Sequence, residues 1–174
     1  MLDSDGGKIS DQQKSVLEKA ASGGKVSQSD YERAWADYRQ CIVDKGHAEP
    51  TFDKYDNGIY ALPTYDTNGA SKEAVGKLNN DLYSCATLHV TDVNTVYRLQ
   101  LGNPELLLDD REVAVDCLRK EGIKPKDYTV DKLEKDLESG EDSVLRGNRK
   151  ALTCLVTAGV NVSASDETVW YPLK

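Results

Sequence analysis

The sequence predicts a mainly α-helical protein made of two related helix-linker-helix units, each stapled by a disulfide, the first carrying a small β-hairpin. Three observations predict it. Apolar residues recur at steps of three and four over most of the chain, the four cysteines fall in pairs on long helical segments, and helical periodicity is lost around one Asn-Gly. The expected division is a flexible lead-in and short helix over 1–26, a first helical unit with the hairpin inserted over 27–103, and a second helical unit over 104–174.

Met1 to Gly7 is short, polar and glycine-rich. Gly6-Gly7-Lys8-Ile9-Ser10 recurs as Gly23-Gly24-Lys25-Val26-Ser27, and each copy has the form of a helix start, with Ser10 or Ser27 accepting from first-turn N–H groups. The helix opened by Ser27 carries Tyr31, Ala34, Trp35, Tyr38, Cys41 and Ile42 on one stripe and should end at Gly46 in a left-handed C′ position. Asp56-Asn57-Gly58 lies between β-formers at 51–55 and 59–62, which predicts a hairpin with a type I′ turn on Asn57-Gly58. Asp66-Thr67-Asn68-Gly69 is a second turn.

Ser71 then caps a helix bearing Ala74, Val75, Leu78, Leu82, Cys85 and Leu88, and Thr91 caps a shorter one bearing Val93, Val96, Tyr97 and Leu101, stopped by Gly102-Asn103-Pro104. In the second half a helix from Leu106 through Leu107, Val113, Cys117 and Leu118 runs to Gly122. Thr129 caps a helix through Leu133 and Leu137 to Gly140, and a last long helix runs from about Asp142 through Leu145, Ala151, Leu152, Leu155 and Val156 to Gly159. The tail 160–174 is expected to be irregular or extended, anchored by Val169, Trp170 and Leu173.

The halves resemble each other. Cys41-Ile42-Val43-Asp44-Lys45-Gly46 aligns with Cys117-Leu118-Arg119-Lys120-Glu121-Gly122, and Leu82-Tyr83-Ser84-Cys85 with Ala151-Leu152-Thr153-Cys154. Four cysteines permit three pairings, and spacing alone does not choose among them. The duplication makes Cys41 with Cys85 and Cys117 with Cys154 the natural choice, one staple per unit, with buried free thiols as the alternative. Disulfides would imply an oxidising compartment. Zinc held by Cys41, His47, Cys85 and His89 is chemically acceptable, but the second unit keeps its cysteines and has Ile123 and Ala158 in place of the histidines. The expectation is therefore no metal and no cofactor.

The run Val26-Ser27-x-x-Asp30-Tyr31-Glu32-x-Ala34, then Tyr38-x-x-Cys41-x-x-x-x-Gly46, Cys85, Val96-Tyr97, Asn103-Pro104 and Cys117-Leu118-x-x-x-Gly122, resembles a group of poorly characterised exported actinobacterial proteins, often lipoproteins, from Val26 to Cys154. The resemblance implies an extracytoplasmic address and supplies no reaction, catalytic residue or ligand. The chain has no lipobox cysteine, so a lipid anchor would come from a removed leader.

Composition narrows the function classes. With 22 basic against 30 acidic side chains and a formal net charge of −8, general nucleic-acid backbone binding is disfavoured. No apolar run approaches the roughly 20 residues of a membrane span, and the N-terminus lacks the form of a signal peptide. Nucleophile-elbow, HExxH, phosphate-loop and dinucleotide motifs are absent from the sequence, and no catalytic residue is expected. Asp3-Ser4-Asp5-Gly6 and Asp66-Thr67-Asn68-Gly69 begin like calcium loops, but their twelfth positions fall on Gln12 and Val75 where a bidentate glutamate is needed. Asn161-Val162-Ser163 fits a glycosylation sequon.

Phe52, Tyr55, Tyr60 and Tyr65 put four of the twelve aromatics into fourteen residues and form the candidate binding surface, with packing down as a lid over the core as the alternative. The function expected is a non-catalytic extracytoplasmic binding or interaction protein, its partner a cell-surface protein or cell-wall component. The alternatives are a secreted inhibitor or effector docking on another protein and a carboxylate-based hydrolase.

Overall fold

The computed structural model describes residues 9–103, 107, 109–140, 142–160, 162 and 169–173. The first Gly-Gly-Lys echo, Asp3 to Gly6, Leu106 and the sequon residues Asn161 and Ser163 lie outside them. Among the described residues there are eight helices and one two-stranded antiparallel sheet. They are α1 (Asp11–Ala21), α2 (Gln28–Asp44), β1 (Asp53–Lys54), β2 (Tyr60–Ala61), α3 (Lys72–His89), α4 (Thr91–Gly102), α5 (Asp110–Lys120), α6 (Val130–Ser139), α7 (Ser143–Gly147) and α8 (Arg149–Ala158). The chain forms two compact units. One contains Met1–Phe52, Leu62–Tyr97 and Val169–Lys174; the other contains Asp53–Ala61 and Arg98–Thr168. The hairpin thus groups with the second unit, and the last residues with the first.

In the first unit α2 packs on α3, and α1 on both. Its core is aromatic because the α2 stripe repeats every third or fourth residue. Tyr31 stacks on Tyr97 at 4.0 Å, and Phe52 meets Trp35 edge-on at 4.7 Å and stacks on Tyr38 at 5.6 Å. Cys41 and Cys85 are joined across α2 and α3 with a Cα separation of 5.7 Å. The tail contributes Trp170, which bridges to Tyr65 in a short parallel pairing, and Pro172, whose carbonyl accepts from Ala48 N. Val169, expected as an anchor, is exposed, because the pairing that turns Trp170 inward turns its neighbour outward.

In the second unit α5 packs on α6 and α8, and α7 on α8, around Leu118, Leu133, Leu145, Ala151 and Leu155. Cys117 and Cys154 join α5 to α8 with a Cα separation of 5.6 Å. Both disulfides are therefore those expected from aligning the two halves of the sequence. Ser10, Ser27, Ser71 and Thr129 each accept from a backbone N–H three residues on, as expected of N-caps.

Four local expectations are corrected. Thr91 is the first residue of α4 and not its cap. The first-turn N–H groups of Asp92 and Val93 donate instead to the side-chain oxygen of Gln13, a residue of α1. The helix expected from Leu106 starts at Asp110, with Asp109 accepting from Arg111 N. The last helix is broken at Asn148, whose extended backbone (φ −103°, ψ 116°) ends α7 and whose side chain accepts from Lys150 N and Ala151 N to start α8. The hairpin does not use a two-residue turn: β1 and β2 pair Asp53 with Ala61 and Lys54 with Tyr60, Tyr55 N donates to Ile59 O, and Gly58 alone in the tip has positive φ. The loop is three residues long, closed by a left-handed glycine. The type I′ signature falls on the second turn, where Asn68 (φ 54°) and Gly69 (φ 70°) lie between Thr67 O and the Ala70 N–H that donates to it.

Candidate functional site

A cleft of about 450 Å³ opens in the second unit. One wall is the α5 face of Asp116, Cys117, Lys120 and Glu121. The opposite wall is the α8 face of Lys150, Thr153, Cys154 and Thr157, and the disulfide lies between them. Leu101, Gly102 and Leu107 supply an apolar end beside the Asn103 amide, and the hairpin tip closes the perimeter with Asp56 and Asn57. The volume falls in the range of small-molecule sites, and an apolar interior with a few convergent polar groups is their usual chemistry.

Each wall is held by identifiable contacts. Spacings of three and four put Thr153 and Thr157 with Cys154 and Lys150 on one face of α8. At the C-terminal end of α8, where the last carbonyls lack intrahelical partners, Arg98 donates to Thr157 O and to Val156 O, which also accepts from Gly159 N. At the other end Arg149 donates to Lys54 O and stands 4.5 Å from the Tyr55 ring, and near the C-terminal end Asn57 Nδ2 donates to Thr157 Oγ1 at 2.7 Å. The hairpin is thereby tied to α8 at two points. Gly102 permits close approach: a Cβ there would fall 2.3 Å from Thr157 Cγ2. Asn103, buried, donates to Leu107 O and accepts from Leu107 N, both at 2.7 Å.

The neutral polar groups of the cleft are thus engaged in structure. Thr157 also donates to Thr153 O at 2.6 Å, and Asn57 Oδ1 accepts from Ile59 N. The rim is ionic and paired. Lys120 lies 2.7 Å from Asp116, and Lys150 lies 3.5 Å from Glu121.

Of the four aromatics singled out from sequence, two are buried, one is half-buried and one is partly exposed. Phe52 (6% exposed) is locked among Trp35, Tyr38 and the Arg39 guanidinium in the first unit. Tyr55 (4% exposed) is buried under Arg149 in the second. Tyr60 is half-buried beside the Lys54 ammonium. Tyr65 (37% exposed) packs edge-on against Trp170 and donates to Asn79. Sequence reasoning missed the cleft, whose lining comes from four separate segments. The hairpin was the one signal available, since its tip supplies Asp56 and Asn57.

Neither histidine meets a cysteine thiolate, because Cys41 is bonded to Cys85. His47 is buried with Nε2 2.8 Å from Asp81 Oδ2. The hydrogen bond from Lys77, at 2.6 Å, is the main reason the Asp81 carboxyl is held below the usual carboxylate range. Among the described residues no group of three or more His, Cys, Asp or Glu side chains is placed to hold a metal ion, and no helix is long and apolar enough to cross a membrane. No protein-family model matches the chain, and neither does a curated protein or a solved structure.

Proposed function

We propose that the protein is a non-catalytic extracytoplasmic binding protein whose ligand enters the cleft of the second unit. The observation that carries the address is the pairing of all four cysteines in two helix-to-helix disulfides, an arrangement that persists in oxidising compartments. The resemblance to exported actinobacterial proteins supports the same address, and a cell-surface or cell-wall component is the source of ligand it suggests. Matching helix ends support reading the halves as copies of one stapled unit. Ile42 O and Leu118 O each accept from the residue after a left-handed glycine, Gly46 or Gly122.

Two measurements test this reading. Thiol titration of the native protein, denatured without reductant, is expected to find no free thiol; four would overturn the oxidising address. For the cleft, titration with uncharged aliphatic fragments such as 4-methylpentanamide is followed by methyl NMR. Saturable shifts at Leu101, Thr153 and Thr157 are expected, and a cleft that responds neither to these fragments nor to charged analogues of them would be overturned as the site.

A further inference from the structure

The geometry points to a zwitterion with an aliphatic body, an amino acid or short peptide with both termini free, as the ligand of the cleft; this rests on the cleft being the binding site. The neutral hydrogen-bonding groups that face it are committed to structure, so polar recognition falls to the rim. There the charges come as opposite pairs, Lys120 with Asp116 one turn apart on α5 and Lys150 of α8 with Glu121 at the end of α5, while Asp56 at the hairpin tip lies 3.9 Å from Arg149. The side chains of the two lysine pairs are all more than 40% exposed, and such pairs hold each other weakly. A ligand charge can therefore replace a partner at little cost.

The sign of that charge matters. A single negative group that takes a lysine leaves Asp116 or Glu121 beside it without its cation. A single positive group that takes a carboxylate leaves a lysine likewise. A zwitterion serves both members of a pair, its carboxylate accepting from a lysine and its ammonium donating to the carboxylate, so that every charge stays matched. Leu101 and Leu107 then cover the aliphatic body, with the disulfide alongside.

The test uses the full oxidised chain and four probes: leucyl-leucine, its N-acetyl form, its C-terminal amide, and the doubly blocked peptide. Affinity is measured by calorimetry and location by methyl NMR of Leu101, Thr153 and Thr157. Leucyl-leucine is expected to bind tightest, with about a tenfold loss for blocking either end. In K120M/K150M the free peptide should bind no better than its amide, and in D116N/E121Q no better than its acetylated form. Far-UV circular dichroism confirms that each variant is folded. If the doubly blocked or singly charged peptides bind as tightly as the zwitterion, the inference is overturned while the cleft stands as a site. If neither these four nor uncharged fragments shift the cleft resonances, both fall.

Discussion

Replacing Gln13 with methionine should be among the most damaging single substitutions in the first unit. Gln13 is 1% exposed and makes four hydrogen bonds with its side-chain amide. Its Nε2 donates to Thr87 O at 2.9 Å and Leu88 O at 3.1 Å, at the end of α3. Its Oε1 accepts from Asp92 N at 3.1 Å and Val93 N at 3.4 Å, in the first turn of α4. Methionine keeps the length and volume and removes every polar atom. At roughly 1 kcal/mol net per hydrogen bond, and more where a buried group is left without a partner, the loss is about 3–5 kcal/mol. Leu88 O retains the N–H of Ser10, which keeps the figure from rising further. A domain of this size has roughly 5–15 kcal/mol in total. Both tryptophans, Trp35 and Trp170, belong to the first unit, so denaturant unfolding followed by tryptophan fluorescence reports on that unit. Hydrogen exchange at Val93 N should accelerate in parallel. Q13E separates donor from acceptor: its carboxylate can still accept from Asp92 and Val93 but sets negative charge against two carbonyls. Its defect should shrink as pH falls through the folded-state pKa, which burial and the facing carbonyls hold above the ordinary glutamate value of about 4.3, because protonation restores a donor. A cost below about 1 kcal/mol for Q13M, with Val93 exchange unchanged, would refute the claim that Gln13 joins these helices.

Other substitutions test the second unit. Gly102→Ala should destabilise it by about 1–3 kcal/mol, because Thr157 is fixed by its hydroxyl and its methyl cannot yield; adding Thr157→Ser, which removes that methyl, should restore most of the loss in denaturant unfolding followed by circular dichroism. Removing the 37-residue closure with the double change Cys117→Ala and Cys154→Ala should cost about 4 kcal/mol in the chain-entropy account, read by circular dichroism as a lowered unfolding midpoint. Lys124 lies 3.1 Å from Asp136 and contacts Asp142, which also caps α7. Burial pushes the Asp142 carboxyl up, but the hydrogen bond from Lys124 and its charge outweigh it and hold it below the usual range. A lowered carboxyl contributes stability above its unfolded value near 4 that is lost as pH falls through the folded one, so Asp142→Asn should flatten the acid limb of the stability profile measured by circular dichroism.

What the sequence made legible was local. Ser10, Ser27, Ser71 and Thr129 bond to an N–H three residues away, and the left-handed glycines 46, 122, 140 and 159 end segments whose apolar period has just stopped. The cysteine pairing was legible through comparison of the halves. What was not legible involves a distant partner or a close local competition. Thr91 has the chemistry of a cap, yet Gln13, 79 residues from Asp92 along the chain, takes that position. Asn57-Gly58 and Asn68-Gly69 offer the same dipeptide, and only the second has both residues at positive φ. In the first, Tyr55 and Ile59 are drawn into the interior and the tip closes in three residues. Aromatic residues crowded into one segment suggested a surface because composition carries no direction; burial sent Phe52 and Tyr55 inward.

The same distribution of polar contacts bears on how the cleft would recognise a ligand. Its α8 wall is fixed at the C-terminal end by Arg98, at the N-terminal end by Asn148, and along its length by Cys154, Asn57 and Arg149. Five constraints on a ten-residue helix leave little conformational freedom to be lost on binding, and a preorganised wall lets contact energy appear as affinity. The constraints also consume the hydroxyls and amides that would otherwise read a neutral ligand. Selectivity is thereby passed to the exposed lysine and carboxylate pairs, whose long side chains can change partners without moving the helices. A rigid floor with an exchangeable ionic rim should discriminate by charge pattern more than by shape. Binding in such a cleft should weaken with ionic strength, because its charged contacts lie within reach of solvent ions. A ligand whose affinity is indifferent to salt between 50 mM and 500 mM would have to be held by Leu101 and Leu107 alone, contrary to the division of labour that the hydrogen bonding imposes.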